Sequence, residues 1–329
     1  MSEDAYAEAG VSQSEADHAV AALVAALGPA SGRQALKSGH YANVVKLDEA
    51  TGIAITTDGV GTKLLVAEQL SRWDTVGIDC VAMNVNDVIC VGARPLAMVD
   101  YLAVDSADAA IAAQIGEGLA RGAELAGIEI VGGELAQLGE LIRGLDLAGA
   151  CIGVVALDSL ITGSAIEPGD ALIGLPSSGL HSNGYTLARK ALEQIPLDDE
   201  RLGRTLGEIL LEPTEIYVKP VIELIDSGVD VRGLAHITSG GLANLLRLEA
   251  EVGYAIDQPL PEPPIFGLIR ELGGVSDQEM QEVFNLGCGF CCVVAAADKP
   301  PALDLLRRHY PDASRIGTVT DKPGTIVRG

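Results

Sequence analysis

Apolar runs along the chain alternate with stretches of helical spacing. Short apolar runs bounded by turn residues predict strands over 52–57, 96–104, 128–131 and 148–156. Helices are predicted between them over 78–91 and 107–126. Pro168-Gly169-Asp170 is a turn signal that opens a second half. This half reads as a strand over 171–175, helices over 185–193 and 215–227, a helix after Gly240-Gly241, a strand over 289–296 and a helix over 301–309. The alternation predicts α/β architecture of the α+β type in both halves, divided into domains 1–168 and 169–329. The proline-rich segment 259–264 reads as a loop rather than a linker, because structured segments flank it closely. No internal repeat is evident.

Composition narrows the picture. The 329 residues suffice for two domains of about 100–200 residues each. Hydrophobic residues make up 48 % and aromatics only 3 %, so the core is built of small aliphatics suited to helices packed on sheets. The net charge is −24, from 46 acidic against 22 basic residues. Such a surface repels nucleic-acid backbones and anionic lipid, which argues against both as partners. It also means that a phosphorylated ligand must be held locally by a few basic groups, backbone amides and a divalent metal. The first ten residues carry no basic n-region of a secretory signal, and the apolar run 20–27 is too short to span a bilayer. Six cysteines are scattered through hydrophobic runs, and Cys288 and Cys291 alone have CxxC spacing. They read as buried small hydrophobes of a protein in the reducing cytoplasm.

Three segments of the first half carry candidate chemistry. Thr56-Thr57-Asp58-Gly59-Val60-Gly61-Thr62-Lys63 follows a predicted strand. Its glycines let backbone approach a ligand, Asp58 can hold Mg²⁺ and Lys63 can balance phosphate charge. The spacing is not that of a Walker A loop, and an Asp-Gly turn is also a common tight turn. Asn84-Val85-Asn86-Asp87 lies inside the predicted helix 78–91, with Asn84 and Asp87 on one face. Polar side chains in mid-helix are unfavourable by propensity, so they mark a polar ligand or an ordinary solvated face. Val131-Gly132-Gly133-Glu134 is read as a strand end running into glycines and a carboxylate. Asp58, Asp87 and Glu134 together form the hard oxygen set that Mg²⁺ on nucleotide phosphates requires.

In the second half, Ser177-Ser178-Gly179-Leu180-His181-Ser182-Asn183-Gly184-Tyr185 places hydroxyls, an imidazole and an amide in one glycine-flanked loop. His181 can transfer a proton or bind a carbonyl oxygen, or be merely structural. His236-Ile237-Thr238-Ser239-Gly240-Gly241 precedes a predicted helix whose amides can grip a phosphate. Phe284-Asn285-Leu286-Gly287-Cys288-Gly289 is as readily a structural turn as a site. The sequence has no nucleophile elbow, HExxH or GxGxxG, so covalent and hydride chemistry are unsupported.

Taken in order, these segments closely resemble the aminoimidazole ribonucleotide synthetase family, the phosphoribosylformylglycinamidine cyclo-ligases. The resemblance runs through Tyr6-Ala7-Glu8-Ala9-Gly10-Val11, then 57–63, 74–95, 131–134, 177–185, 211–218, 236–241 and 284–289, nearly the whole chain. It implies that ATP phosphorylates the formyl oxygen of formylglycinamidine ribonucleotide and that the amidine nitrogen then closes the imidazole ring. It implies Mg²⁺ held by Asp58, Asp87 and Glu134, with Gly59, Gly61, Thr62, Lys63, Asn84, Asn86, Gly132 and Gly133 around the nucleotide. His181, Asp58 and Lys63 would be catalytic. Ser178, Gly179, His181, Ser182, Asn183, Gly184 and Thr238 would address the substrate, with Gly240 and Gly241 taking a phosphate. The family is a homodimer whose first halves join in a shared β-barrel.

Some positions depart from the family pattern. Gly10-Val11-Ser12 stands for Gly-Val-Asp, and a lysine typical of the first helix is absent, the ungapped count landing near Val24. Ser38-Gly39-His40-Tyr41-Ala42 replaces a glycine- and phenylalanine-rich stretch, and Gly133–Glu140 loses a hydroxyl and a carboxylate. Rivals within the superfamily fit less well. Selenophosphate synthetase would want an N-terminal reactive cysteine, but the first is Cys80. The hydrogenase-maturation dehydratase would want a C-terminal cysteine, and thiamine-monophosphate kinase would lack the 178–185 string. A non-catalytic nucleotide-binding subunit is the reading from another class.

Overall fold

The structure, a computed structural model, describes residues 13–28, 32–36 and 39–328. The segment 6–11, Ser12 and Ser38 lie outside the described residues. Helix α1 (Gln13–Leu27) precedes a first sheet of five strands. These are β1 (Asn43–Lys46), β2 (Thr51–Gly59), β3 (Arg94–Val104), β4 (Glu129–Gln137) and β5 (Leu145–Ala156), in the order β1-β2-β5-β3-β4. All neighbours are antiparallel except β3 and β4. Between β2 and β3 come α2 (Leu64–Leu70) and α3 (Val76–Ile89), and between β3 and β4 comes α4 (Ala109–Ala126).

Helix α3 packs against α4, β2, β3 and β5 and also touches the second half. Its apolar residues are almost all buried, which explains a helix with two covered faces rather than one. Helix α4 starts where the Asp108 carboxylate accepts from the amides of Ala110 and Ile111, and stops at Gly127 with φ 72°. The two helices approach so closely that a Cβ on Gly77 would lie 2.2 Å from the Leu119 amide nitrogen.

The second sheet has six strands: β6 (Ala171–Pro176), β7 (Val231–His236), β8 (Gly253–Ile256), β9 (Cys288–Val294), β10 (Ser314–Thr320) and β11 (Ile326–Arg328). Their order is β11-β8-β10-β6-β9-β7, antiparallel except for β11 and β8. Strand β9 is buried throughout, which matches an apolar run without alternation. All six cysteines are free and buried, and burial pushes the Cys151 thiol up to about 12. Helices α5 (Tyr185–Ala191), α6 (Leu206–Leu210), α7 (Val218–Asp226), α8 (Pro264–Gly273), α9 (Asp277–Val283) and α10 (Lys299–Leu306) complete this half.

Several expectations change. The strand expected over 128–131 continues to Gln137, so Gly132, Gly133 and Glu134 lie within β4, paired with Val99, Asp100 and Tyr101. A Cβ at Gly133 would sit 2.2 Å from Asp100 Oδ1, so the glycine leaves that carboxylate its place over the strand. The helix after Gly240-Gly241 is a 3₁₀ segment, Gly241–Arg247. The helix expected from 215 begins at Val218, because the Tyr217 amide donates to Asn86 Oδ1. Pro264 opens α8, so the proline-rich loop is also a helix start. The first sheet is open within this chain, with edges β1 and β4, and does not close into a barrel.

Substitutions at two helical glycines separate packing from propensity. Gly77→Ala forces its methyl group onto α4 backbone and is expected to cost about 1–3 kcal/mol in thermal unfolding. Gly116→Ala meets nothing within 4 Å and is expected to stabilise by about 0.5–1 kcal/mol. Equal effects would contradict the close crossing of α3 and α4.

Candidate active site

The register of the first sheet sorts its polar residues. Asp58, Gly149, Asp100 and Gly133 form one cross-strand row, and Gly59, Ala148, Tyr101 and Glu134 form the next. Alternation therefore sends Asp58 and Glu134 to opposite faces. Asp58 faces α3, where Asn84 clasps its backbone. The Asp58 amide donates to Asn84 Oδ1 at 3.1 Å, and Asn84 Nδ2 donates to the Asp58 carbonyl at 3.1 Å and the Cys80 carbonyl at 2.9 Å. This accounts for a buried amide in mid-helix: Asn84 shapes the strand end and has no free donor for a ligand.

The Asp58 carboxylate accepts from the Gly59 amide at 2.7 Å. Burial, and then the negative charge of Asp87, push its pKa up to about 6 against the pull of that amide, His236 and Arg247. Asp87 reaches across the junction to His236 of β7, its Oδ1 lying 2.9 Å from Nδ1. Asn86, one residue before, holds the second half by donating to the Glu215 carbonyl at 2.8 Å and accepting from the Tyr217 amide at 3.0 Å. Arg247 stacks over the Tyr41 ring with its guanidinium carbon 4.0 Å from the centroid, and donates to the carbonyls of Gly39 and His40.

Lys63 departs most from expectation. Its side chain has no exposed area, and its ammonium lies 2.9 Å from both oxygens of Asp79 in α3. It also donates to the carbonyls of His181 at 3.1 Å and Glu212 at 2.6 Å. All three N–H groups are used inside the protein, so no face of this charge is open to phosphate. The amides of Gly240 and Gly241 are likewise spent, donating to the Glu282 and Thr238 carbonyls. They are not free to grip an anion.

His181 is 1 % exposed and has φ 63°, a left-handed conformation uncommon outside glycine. Its Nε2 accepts from the Ser178 amide at 3.2 Å, while Nδ1 is buried with no partner. Burial, together with the charges of His236 and Lys63, holds its pKa well below the usual imidazole range. Around it, Ser178 donates to the Pro213 carbonyl, Ser182 meets the Thr214 hydroxyl at 3.0 Å, and Asn183 Oδ1 accepts from Ser239. Gly184 has φ 72° and begins α5 against Phe284, where a Cβ would come within 2.2 Å of the ring. Gly61 has φ 70° in open space, and the Thr62 and Thr186 hydroxyls link the two loops at 3.1 Å.

The structure thus gathers Asp58, Asp87, Lys63 and the His181 loop at the junction of the halves, with Thr62 beside them. It does not gather Glu134, which stands exposed on the outward face with Gly132 nearby. Among the described residues, no group of three or more His, Cys, Asp or Glu side chains is placed to hold a metal ion. The expected triad of Asp58, Asp87 and Glu134 is therefore not assembled within one chain. Sequence reading left Asp79, Thr214 and His236 unassigned. Asp79 carried a signal, a carboxylate inside an apolar helix, whereas Thr214 carried none.

Comparisons with known proteins identify the family of the chain. A family model described as AIR synthase related protein, N-terminal domain, matches residues 39–155, and one for the C-terminal domain matches 167–329. A phosphoribosylformylglycinamidine cyclo-ligase of Methanothermobacter thermautotrophicus is 54 % identical over 297 residues, covering 88 % of this chain and 86 % of its own. That of Thermococcus kodakarensis is 50 % identical over 330 residues, covering 98 % and 97 %. Among solved structures, a HypE–HypF complex has a TM-score of 0.70 at 20 % identity, covering 94 % of this chain and 96 % of that one. AaThiL complexed with AMPPCP and TMP has a TM-score of 0.65 at 17 % identity, covering 88 % and 87 %; both show the shared fold. On these identities and matched segments, the chain belongs to the phosphoribosylformylglycinamidine cyclo-ligase (AIR synthase) family.

Proposed function

We propose that this ligase uses ATP to convert formylglycinamidine ribonucleotide to aminoimidazole ribonucleotide in purine biosynthesis. The observation that carries this is identity of 50 % sustained over 98 % of the chain to a relative of that name. The γ-phosphoryl group passes to the formyl oxygen, the amidine nitrogen attacks that carbon, and the C–O bond breaks to release inorganic phosphate. The protein's part is to position reactants, neutralise charge and exclude water, consistent with a site that has no activated nucleophile.

Mg²⁺ fits the residues present. Asp58 and Asp87 supply hard oxygen donors; burial and then the charge of Asp87 raise the Asp58 pKa, and a divalent cation would relieve the repulsion between them. Bound there, the metal would neutralise charge on the nucleotide phosphates. Asn84 orients Asp58, His236 orients Asp87, and Asn86 keeps the second half in register. His181, Ser182 and Asn183 face the formylglycinamidine part in this reading. We place the reaction in the cytoplasm; no described helix is long and apolar enough to cross a membrane.

A homodimer completes the reading. Ile55, Val99, Tyr101 and Ile152 stand exposed on the outward face of the open first sheet, between 38 % and 45 % accessible. A second copy covering this face would also enclose Glu134, Gly132 and Thr57 there. The expected result is a dimer by light scattering, with Val99→Lys/Ile152→Lys yielding folded monomers. A wild-type monomer would remove the dimer.

With purified protein, ATP, Mg²⁺ and the amidine substrate, ADP and aminoimidazole ribonucleotide should form in equal amounts. ATP hydrolysis without ring closure would contradict the assignment. The Asp58 pKa sets a second expectation. Because the folded value is about 6 and the ordinary one 3.8, the metal-free fold gains from protonation between these limits and loses that gain as pH rises through 6. Asp58→Asn should therefore raise metal-free stability at pH 7 by about 1–3 kcal/mol while abolishing Mg²⁺-dependent turnover. Thermal unfolding at pH 5 and 7.5, with and without Mg²⁺, would read both.

A further inference from the structure

The ammonium of Lys63 and the carboxylate of Asp79 come from the first half of the chain, but their hydrogen bonds to other residues reach the second. Lys63 donates to the carbonyls of His181 and Glu212, and Asp79 Oδ1 accepts from both the amide and the hydroxyl of Thr214 at 2.7 Å. The pair is therefore a strut across the junction, and one end bears on the backbone of His181.

That backbone needs support. At φ 63° a β-branch-free but bulky side chain is held in a sparsely populated conformation, which persists only where its surroundings over-determine it. The ring is fixed as well. The Ser178 amide donates to Nε2, and the ring lies against Gly289, where a Cβ would come 2.5 Å from Cε1. With Nε2 accepting, the neutral ring carries its proton on Nδ1, and this buried donor has no acceptor in the protein. An unmet buried donor costs stability and points to a ligand atom.

We propose that Lys63, with Asp79 and Thr214, is a positioning residue that holds the left-handed turn at His181, so that the neutral imidazole donates from Nδ1 to an oxygen of the substrate's formamide group. This rests on the cyclo-ligase reading and gives the lysine a task other than phosphate binding. His181 is then a fixed hydrogen-bond donor and not a proton shuttle.

The test compares wild type, His181→Ala, Lys63→Met/Asp79→Leu and the triple variant. The double variant removes both buried charges together, since losing one alone would strand the other. Its kcat should fall on the order of 100-fold with the KM for ATP within about twofold. Adding His181→Ala should cost less than about threefold more, because both changes break one device. A double variant with wild-type kcat, or a triple variant losing the product of the separate factors, would overturn the proposal. Should the double variant not fold, Thr214→Val keeps both charges and should lower kcat about fivefold at unchanged KM for ATP, with a fall in Tm that leaves the protein folded at assay temperature; an unchanged kcat overturns it equally. Long-range proton–nitrogen NMR of the wild type gives a readout independent of the reaction. A His181 tautomer protonated at Nδ1 supports the geometry even if ring closure were not observed, and protonation at Nε2 refutes it.

Discussion

Two unit charges in the junction of this molecule, Lys63 and Asp79, have no solvent-exposed side-chain area. Removing such groups from water is expensive, and their attraction offsets the cost only with close geometry and further hydrogen bonds. Here those further bonds come from groups brought from 118 to 149 residues further along the chain, at His181, Thr214 and Glu212. The pair therefore couples the two halves: neither can move away without stranding a charge. Around it, Asn86 ties α3 to the start of α7, and Asp87 meets His236. Helix α3 is the member that both halves share: Asp79, Asn86 and Asp87 face the joint, and Asn84 faces β2.

The same economy governs the acidic surface. A chain with net charge −24 has few cations to offer an anionic ligand, and its central lysine is committed internally. What remains at the site is a pair of carboxylates, one of them held up near 6, and a neutral imidazole with an unmet donor. That arrangement suits phosphates brought in with their own divalent cation, and a substrate carbonyl recognised by a directed hydrogen bond.

Much of the fold was legible from pattern. The long strands and α3 and α4 follow apolar periodicity, whereas Asn84 and Asn86, expected to mark a polar ligand or a solvated face, are buried and bonded to protein backbone. Short strands such as Gly253–Ile256 and Ile326–Arg328 escaped because four or fewer residues carry no period, and pairing alone makes them strands. Glu134 was misplaced because two glycines read as the end of a strand, whereas Gly133 continues it to make room for Asp100. Lys63 was misread because a Gly-Thr-Lys turn gives no sign of burial; its partners are distant in sequence. The spent amide of Gly240 depends in the same way on Glu282, which no local motif announces, whereas that of Gly241 closes a local turn onto Thr238.

The proposed mechanism requires the formyl oxygen to leave as phosphate during ring closure. Substrate carrying heavy oxygen in its formyl group, turned over with unlabelled ATP and analysed by mass spectrometry, tests this directly. One labelled oxygen is expected in each inorganic phosphate released. Unlabelled phosphate, with the heavy oxygen recovered in water, would contradict it.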